Sequence, residues 1–180
     1  MTTGLSLHLG LNSVNPNHYG GWSGPLVACE ADARDMTSIA ASCGFTTSTL
    51  LTEKATRDSV LGTISAAAGK LAPGDIFLLT NSSHGGQVPD QNGDEDDGAD
   101  ETWCLYDGEL IDDELHFALS EFAAGVRIVV ISDSCHSGTV IKSPELRAIY
   151  GDMLSTQAAI LGLARPNADG AASSSFLGSL

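Results

Sequence analysis

Two short, largely apolar runs, 76–80 (IFLLT) and 126–132 (VRIVVIS), constrain this chain more than any other feature. Runs of that length are what a strand covered on both faces looks like, and such strands belong to parallel sheets packed between helices. The rest of the chain supplies the partners. Residues 5–11 (LSLHLGL) and the Thr-rich 45–51 (FTTSTLL) read as two more strands. Met36, Ile39, Ala40 and Cys43 recur at helical spacing, and Gly44 ends that helix. Thr56 is placed to cap a second helix, with Val60, Ile64, Ala68 and Leu71 on one apolar face, before a turn at Pro73-Gly74. Asp112 and Asp113 stand where a helix start favours negative charge, and Leu115, Leu119 and Phe122 continue that helix. A polar helix near 145–156 and a strand at 158–163 complete the pattern. Strands alternating with helices predict an α/β fold, an αβα sandwich around a mostly parallel central sheet. The 180 residues suit a single domain, 1–180.

Charge narrows the partners. With 23 acidic residues against 8 basic ones the formal charge is −15. Nucleic acid and anionic membranes both attract positive surface, so neither is an expected partner. Cationic substrates and divalent metals fit better. No apolar run approaches the roughly 20 residues of a membrane span. The N-terminus lacks a basic stretch followed by an apolar one, so no signal peptide is expected. Cys29, Cys43, Cys104 and Cys135 show no framework spacing. They are expected to be thiols of a cytoplasmic protein.

The chemistry is expected at the carboxyl ends of the strands, where open α/β sheets bind their ligands. The run 76–80 leads into Asn81-Ser82-Ser83-His84-Gly85-Gly86, and the run 126–132 leads into Asp133-Ser134-Cys135-His136-Ser137-Gly138. If the two strands are parallel neighbours, His84 and Cys135 emerge on one edge. A thiol needs a nearby base to become a thiolate at neutral pH, and His84 would serve, then protonate the leaving amine. Gly85 allows close backbone approach, and its N–H with that of Cys135 would stabilise an oxyanion. A Cys at a strand end is otherwise a small buried hydrophobe. The pairing of two polar, Gly-containing segments, each after a buried-type strand, sets catalysis level with that reading.

At these residues the sequence resembles the caspase-like cysteine peptidases of prokaryotes (orthocaspases) and the metacaspases. Residues 133–138 (DSCHSG) are similar to that family's nucleophile motif and 82–87 (SSHGGQ) to its histidine motif. Residues 29–35 (CEADARD), 94–101 (DEDDGADE) and 111–115 (IDDEL) match further motifs in order and spacing. The resemblance implies a caspase-like αβα sandwich, with 5–140 as the large-subunit-like catalytic part and 141–180 as a short small-subunit-like part. It implies Cys135 as nucleophile and His84 as general acid–base. Cys29, Asp32, Ser82 and Asp133 would line the pocket for the residue before the cut. Carboxylates there favour Arg or Lys, since a guanidinium pairs with them bidentately. Protein or peptide substrates with a basic residue before the scissile bond follow. No cofactor is required for that chemistry. The acidic segment is not an EF-hand, because the position needing Gly is Glu95 when counting starts at Asp90. The resemblance does imply a possible Ca²⁺ site at Asp100, Asp112 and Asp113, with Lys142 at a further position of that set. Lys142, Arg147 and Arg165 are candidate self-processing sites. The competing readings are a non-catalytic caspase-like binding module, or a subunit fragment needing a partner chain, and a calcium-binding acidic domain whose thiol is incidental.

Overall fold

The computed structural model describes residues 2–89 and 99–135; for residues 89, 99, 100 and 135 the description is of the backbone alone. Its elements are β1 (Gly4–Gly10), α1 (Cys29–Ser42), β2 (Thr46–Leu51), a 3₁₀ turn (Thr52–Lys54), α2 (Arg57–Ala68), β3 (Ile76–Pro89), β4 (Ala99–Leu105), β5 (Gly108–Ile111), α3 (Asp112–Ser120) and β6 (Arg127–Cys135). The expected helix at 145–156, the strand at 158–163, the 141–180 part and the sites Lys142, Arg147 and Arg165 lie outside the described residues.

The sheet has the expected character. β2, β1, β3 and β6 lie side by side, all parallel. Strand alternation sends Leu7, Leu9, Phe77 and Leu79 to one face, where α2 and α3 bury them with Val60, Ile64, Ala118 and Phe122. Phe77 and Phe122 meet there with ring centroids 4.9 Å apart. Each large side chain so covered contributes about 1.5–3 kcal/mol. The other face is polar: Ser6, His8 and Thr80 are buried on it. There α1 packs closely because Gly10 has no side chain; a Cβ on it would stand 2.3 Å from the Cys29 carbonyl oxygen and 2.7 Å from Ala33 Cβ. Helices on both faces of a parallel sheet make the α/β sandwich that the sequence predicts.

Thr56 and Gly44 bound their helices as expected, and Glu114 adds a cap the sequence did not suggest. Thr56 accepts from the Ser59 N–H, opening α2. At α3, Glu114 reaches back to the Ile111 N–H. Gly44, with φ +87°, follows the last turn of α1.

Four expectations need correction. β3 does not stop at Thr80; it runs fourteen residues to Pro89, so His84 lies within a strand and not in the loop after one. Its first half pairs with β6, and from Gly85 onward it pairs antiparallel with β4. Second, β4 and β5 form an antiparallel extension where the sequence showed only an acidic interruption. Third, α1 begins at Cys29, a full turn and more before Met36. Its buried face is made of Cys29, Ala33 and Ala40, residues too small to give a strong apolar signal. Fourth, among the described residues the run 126–132 is not covered on both faces: Ile128, Val129, Val130 and Ile131 are 36–46% exposed. Among the described residues β6 has a single strand neighbour, β3. No helix among the described residues is long and apolar enough to cross a membrane.

Candidate active site

The parallel pairing of β3 with β6 sets the site. Its register places Ser82 opposite Asp133 and His84 opposite Cys135. These are the last two residue pairs on one strand face before β3 leaves β6 for β4. The two residues expected to share an edge are thus backbone neighbours.

His84 is buried and held by a segment that sequence reasoning passed over. The chain between β1 and α1 folds back as a strap. Val14 N–H donates to the Ser23 carbonyl at 2.9 Å, and Leu26 N–H to the Asn12 carbonyl at 2.8 Å. On its returning limb, between these two bonds, the Gly24 carbonyl oxygen lies 3.2 Å from His84 Nε2. A carbonyl only accepts, so Nε2 carries the proton and Nδ1 is left as the basic nitrogen. Burial pulls the imidazole below its ordinary pKa, and the bond to Gly24 opposes that shift. Trp22 lies against the same ring, with centroids 4.9 Å apart and planes at 53°.

Beside this pair lies a cavity of about 260 Å³ between α1 and the strand ends. Asp32, Ser82 and Asp133, three of the four expected pocket residues, line it together. Ser82 Oγ donates to Asp32 Oδ2 at 2.9 Å, which fixes one carboxylate against the sheet. Cys29, the fourth, is buried one turn before Ala33 at the start of α1 and is not in the lining of this cavity. Asp35 is, one helical turn after Asp32. Sequence reasoning missed it, although its spacing from Asp32 on a helix is a usable signal. Three carboxylates around a cavity of this size attract a cation. A guanidinium also matches their hydrogen-bonding geometry. Gly85 stands where β3 changes partner, registered against Trp103.

The expected calcium residues are only partly described. Asp112 and Asp113 are the first two residues of α3, and the Asp113 N–H donates to Asp112 Oδ1 at 3.0 Å. Asp100 is described by its backbone, registered against Val88. Among the described residues no group of three His, Cys, Asp or Glu side chains is placed to hold a metal ion. The described side chains thus include two of the three expected carboxylates, Asp112 and Asp113.

Comparison with known proteins adds the lineage. Residues 12–144 match the family model for the metacaspase, peptidase C14 domain. The chain is 43% identical over 84 residues to metacaspase-1 of Coccidioides immitis, covering 44% of this chain and 18% of that protein. It is 32% identical over 149 residues to metacaspase-1A of Aspergillus terreus, covering 74% of this chain and 37% of that one. A crystal structure of a Geobacter sulfurreducens protein superposes with a TM-score of 0.71 at 53% identity, over 86% of this chain and 66% of that chain. The chain thus spans well under half the length of these curated relatives.

Proposed function

The chain belongs to the metacaspase family of peptidase C14 domains, and from that premise we propose that it is a cysteine endopeptidase cutting after Arg or Lys. The register of His84 with Cys135 and of Ser82 with Asp133 is the observation that supports this reading most strongly. In the proposed reaction, His84 Nδ1 takes the proton of the Cys135 thiol, and the thiolate attacks the scissile carbonyl carbon. The N–H groups of Gly85 and Cys135 stabilise the oxyanion. His84 returns the proton to the leaving amine as the C–N bond breaks, leaving an acyl-enzyme. Water, deprotonated by His84, then attacks the thioester carbon; the C–S bond breaks, the acid is released, and the Cys135 sulfur recovers the proton from His84. Asp32 and Asp133 neutralise the basic side chain before the cut, with Asp35 adding to the field of the cavity. A polypeptide is the substrate class, and neither nucleic acid nor membrane is a partner in this reading.

Ca²⁺ binding through Asp100, Asp112 and Asp113 is a separate proposal, outside the catalytic steps. The second reading, a binding subunit needing a partner chain, draws on the exposed apolar residues of β6. One experiment separates the two. A thiol-directed inhibitor carrying Arg should label Cys135, with and without Ca²⁺, and an Asp-bearing counterpart should not. Absence of labelling under both conditions overturns the peptidase reading in favour of the binding subunit.

A further inference from the structure

Resting on the reading of His84 as the acid–base group, we propose that Trp22 is a positioning residue for that histidine. Its indole fixes the orientation of the imidazole and shields it from water. The bond from Nε2 to Gly24 anchors one atom of the ring. A single anchor leaves the ring plane free to turn about it. The indole removes that freedom by lying against the ring at a centroid distance of 4.9 Å.

Trp22 is itself braced. Tyr19 meets it edge-on, with centroids 6.1 Å apart and planes at 74°. The Tyr19 hydroxyl donates to the Leu105 carbonyl at 2.6 Å, tying the brace to β4. The Asn15 N–H donates to the Tyr106 carbonyl at 2.9 Å, tying the strap to the turn after β4. The β4–β5 hairpin, unexpected from the sequence, is therefore the foundation on which the histidine is aimed. Gly24 makes the contact possible. Its φ of +51° is left-handed, and a Cβ there would stand 2.7 Å from the indole and 3.1 Å from the His84 ring.

The groups around the imidazole limit what else governs its protonation. Cys135 is registered against it from β6, and Asp32 and Asp133 occupy the neighbouring cavity. Glu109 approaches Gly86, two residues along β3. Tyr19, behind the indole, is pushed far above its usual range by burial and stays a neutral hydroxyl. Burial is the larger influence on His84, and Trp22 supplies part of it. Opening that cover lets the pKa rise toward about 6.5.

The test reads the contact in two independent ways. An imidazolium beside an indole quenches its emission. In a Trp103→Phe background, Trp22 emission should fall on acidification and stay flat when His84→Gln is added. If Trp103→Phe does not fold, the wild type minus Trp22→Phe difference titration gives the same signal. For catalysis, Trp22→Ala should lower kcat/KM for an Arg peptide by about 10- to 100-fold, mostly in kcat. It should move the acidic limb of the pH profile upward, and Trp22→Phe should restore much of both. A pH-independent Trp22 signal, or one that persists without His84, overturns the proposal. So does a Trp22→Ala enzyme with an unchanged kcat and pH profile. Should the wild type cleave no peptide, the peptidase reading fails, and the emission arm still decides whether Trp22 and His84 are coupled.

Discussion

Two buried histidines sit on the polar face of the sheet, and their neighbours give them different work. His8 has both ring nitrogens bonded to hydroxyls, Thr80 Oγ1 at 2.8 Å and Ser6 Oγ at 2.9 Å. Neither nitrogen is left for chemistry, so His8 is a structural residue. His84 has one nitrogen bonded to a carbonyl, which leaves the other for a proton. Burial lowers the pKa of both. A lowered folded pKa means that the unfolded chain takes up protons first as the pH falls. Stability is therefore whole above about pH 6.5 and declines as the pH drops through that value toward the folded pKa values. The Thr80→Val variant strands one nitrogen of His8 in the interior and should cost about 1–3 kcal/mol in chemical denaturation at neutral pH. A cost indistinguishable from zero would mean that the His8 network is not formed. The placement of His84 beside Cys135 was legible from the sequence, because two apolar runs end in polar, Gly-containing segments that parallel strands bring level. Its strap was not, since Trp22 and Gly24 reach it only through a non-local fold.

At the scale of elements, the short contact between β1 and α1 positions the cavity. Asp32 reaches Ser82 because α1 lies almost on the backbone of Gly10. A Gly10→Ala substitution must push the first turn of α1 away, since the nearest atom is a backbone oxygen. The expected cost is about 1–3 kcal/mol of stability. In the peptidase reading, KM for an Arg peptide should also rise more than kcat falls, because Asp32 moves while His84 stays. Equal loss in both parameters would contradict the separation of pocket from acid–base group. The parallel core, α2 with its Thr56 cap and the start of α3 were all readable from periodicity and capping chemistry. The second half of β3 was not. Gly85 and Gly86 have poor strand propensity. They are held in the strand by β4, and Gly86 admits Glu109 and Thr102 at distances no side chain would allow. The first half of α1 was hidden for a related reason: its buried face is alanine and cysteine, which carry little apolar bulk.

The whole molecule couples an acidic surface to an acidic cavity. A formal charge of −15 draws cations toward the protein, and the cavity of Asp32, Asp35 and Asp133 concentrates that attraction beside the register of His84 and Cys135. In this account specificity and catalysis are two ends of one strand pair. Hydrolysis of a peptide with Arg before the cut, by wild type and by Cys135→Ala, tests that account most directly. Wild type should release the amine product from Arg and Lys peptides and leave the Asp peptide intact, and Cys135→Ala should release none. Equal cleavage by Cys135→Ala, or none by wild type with or without Ca²⁺, would contradict it.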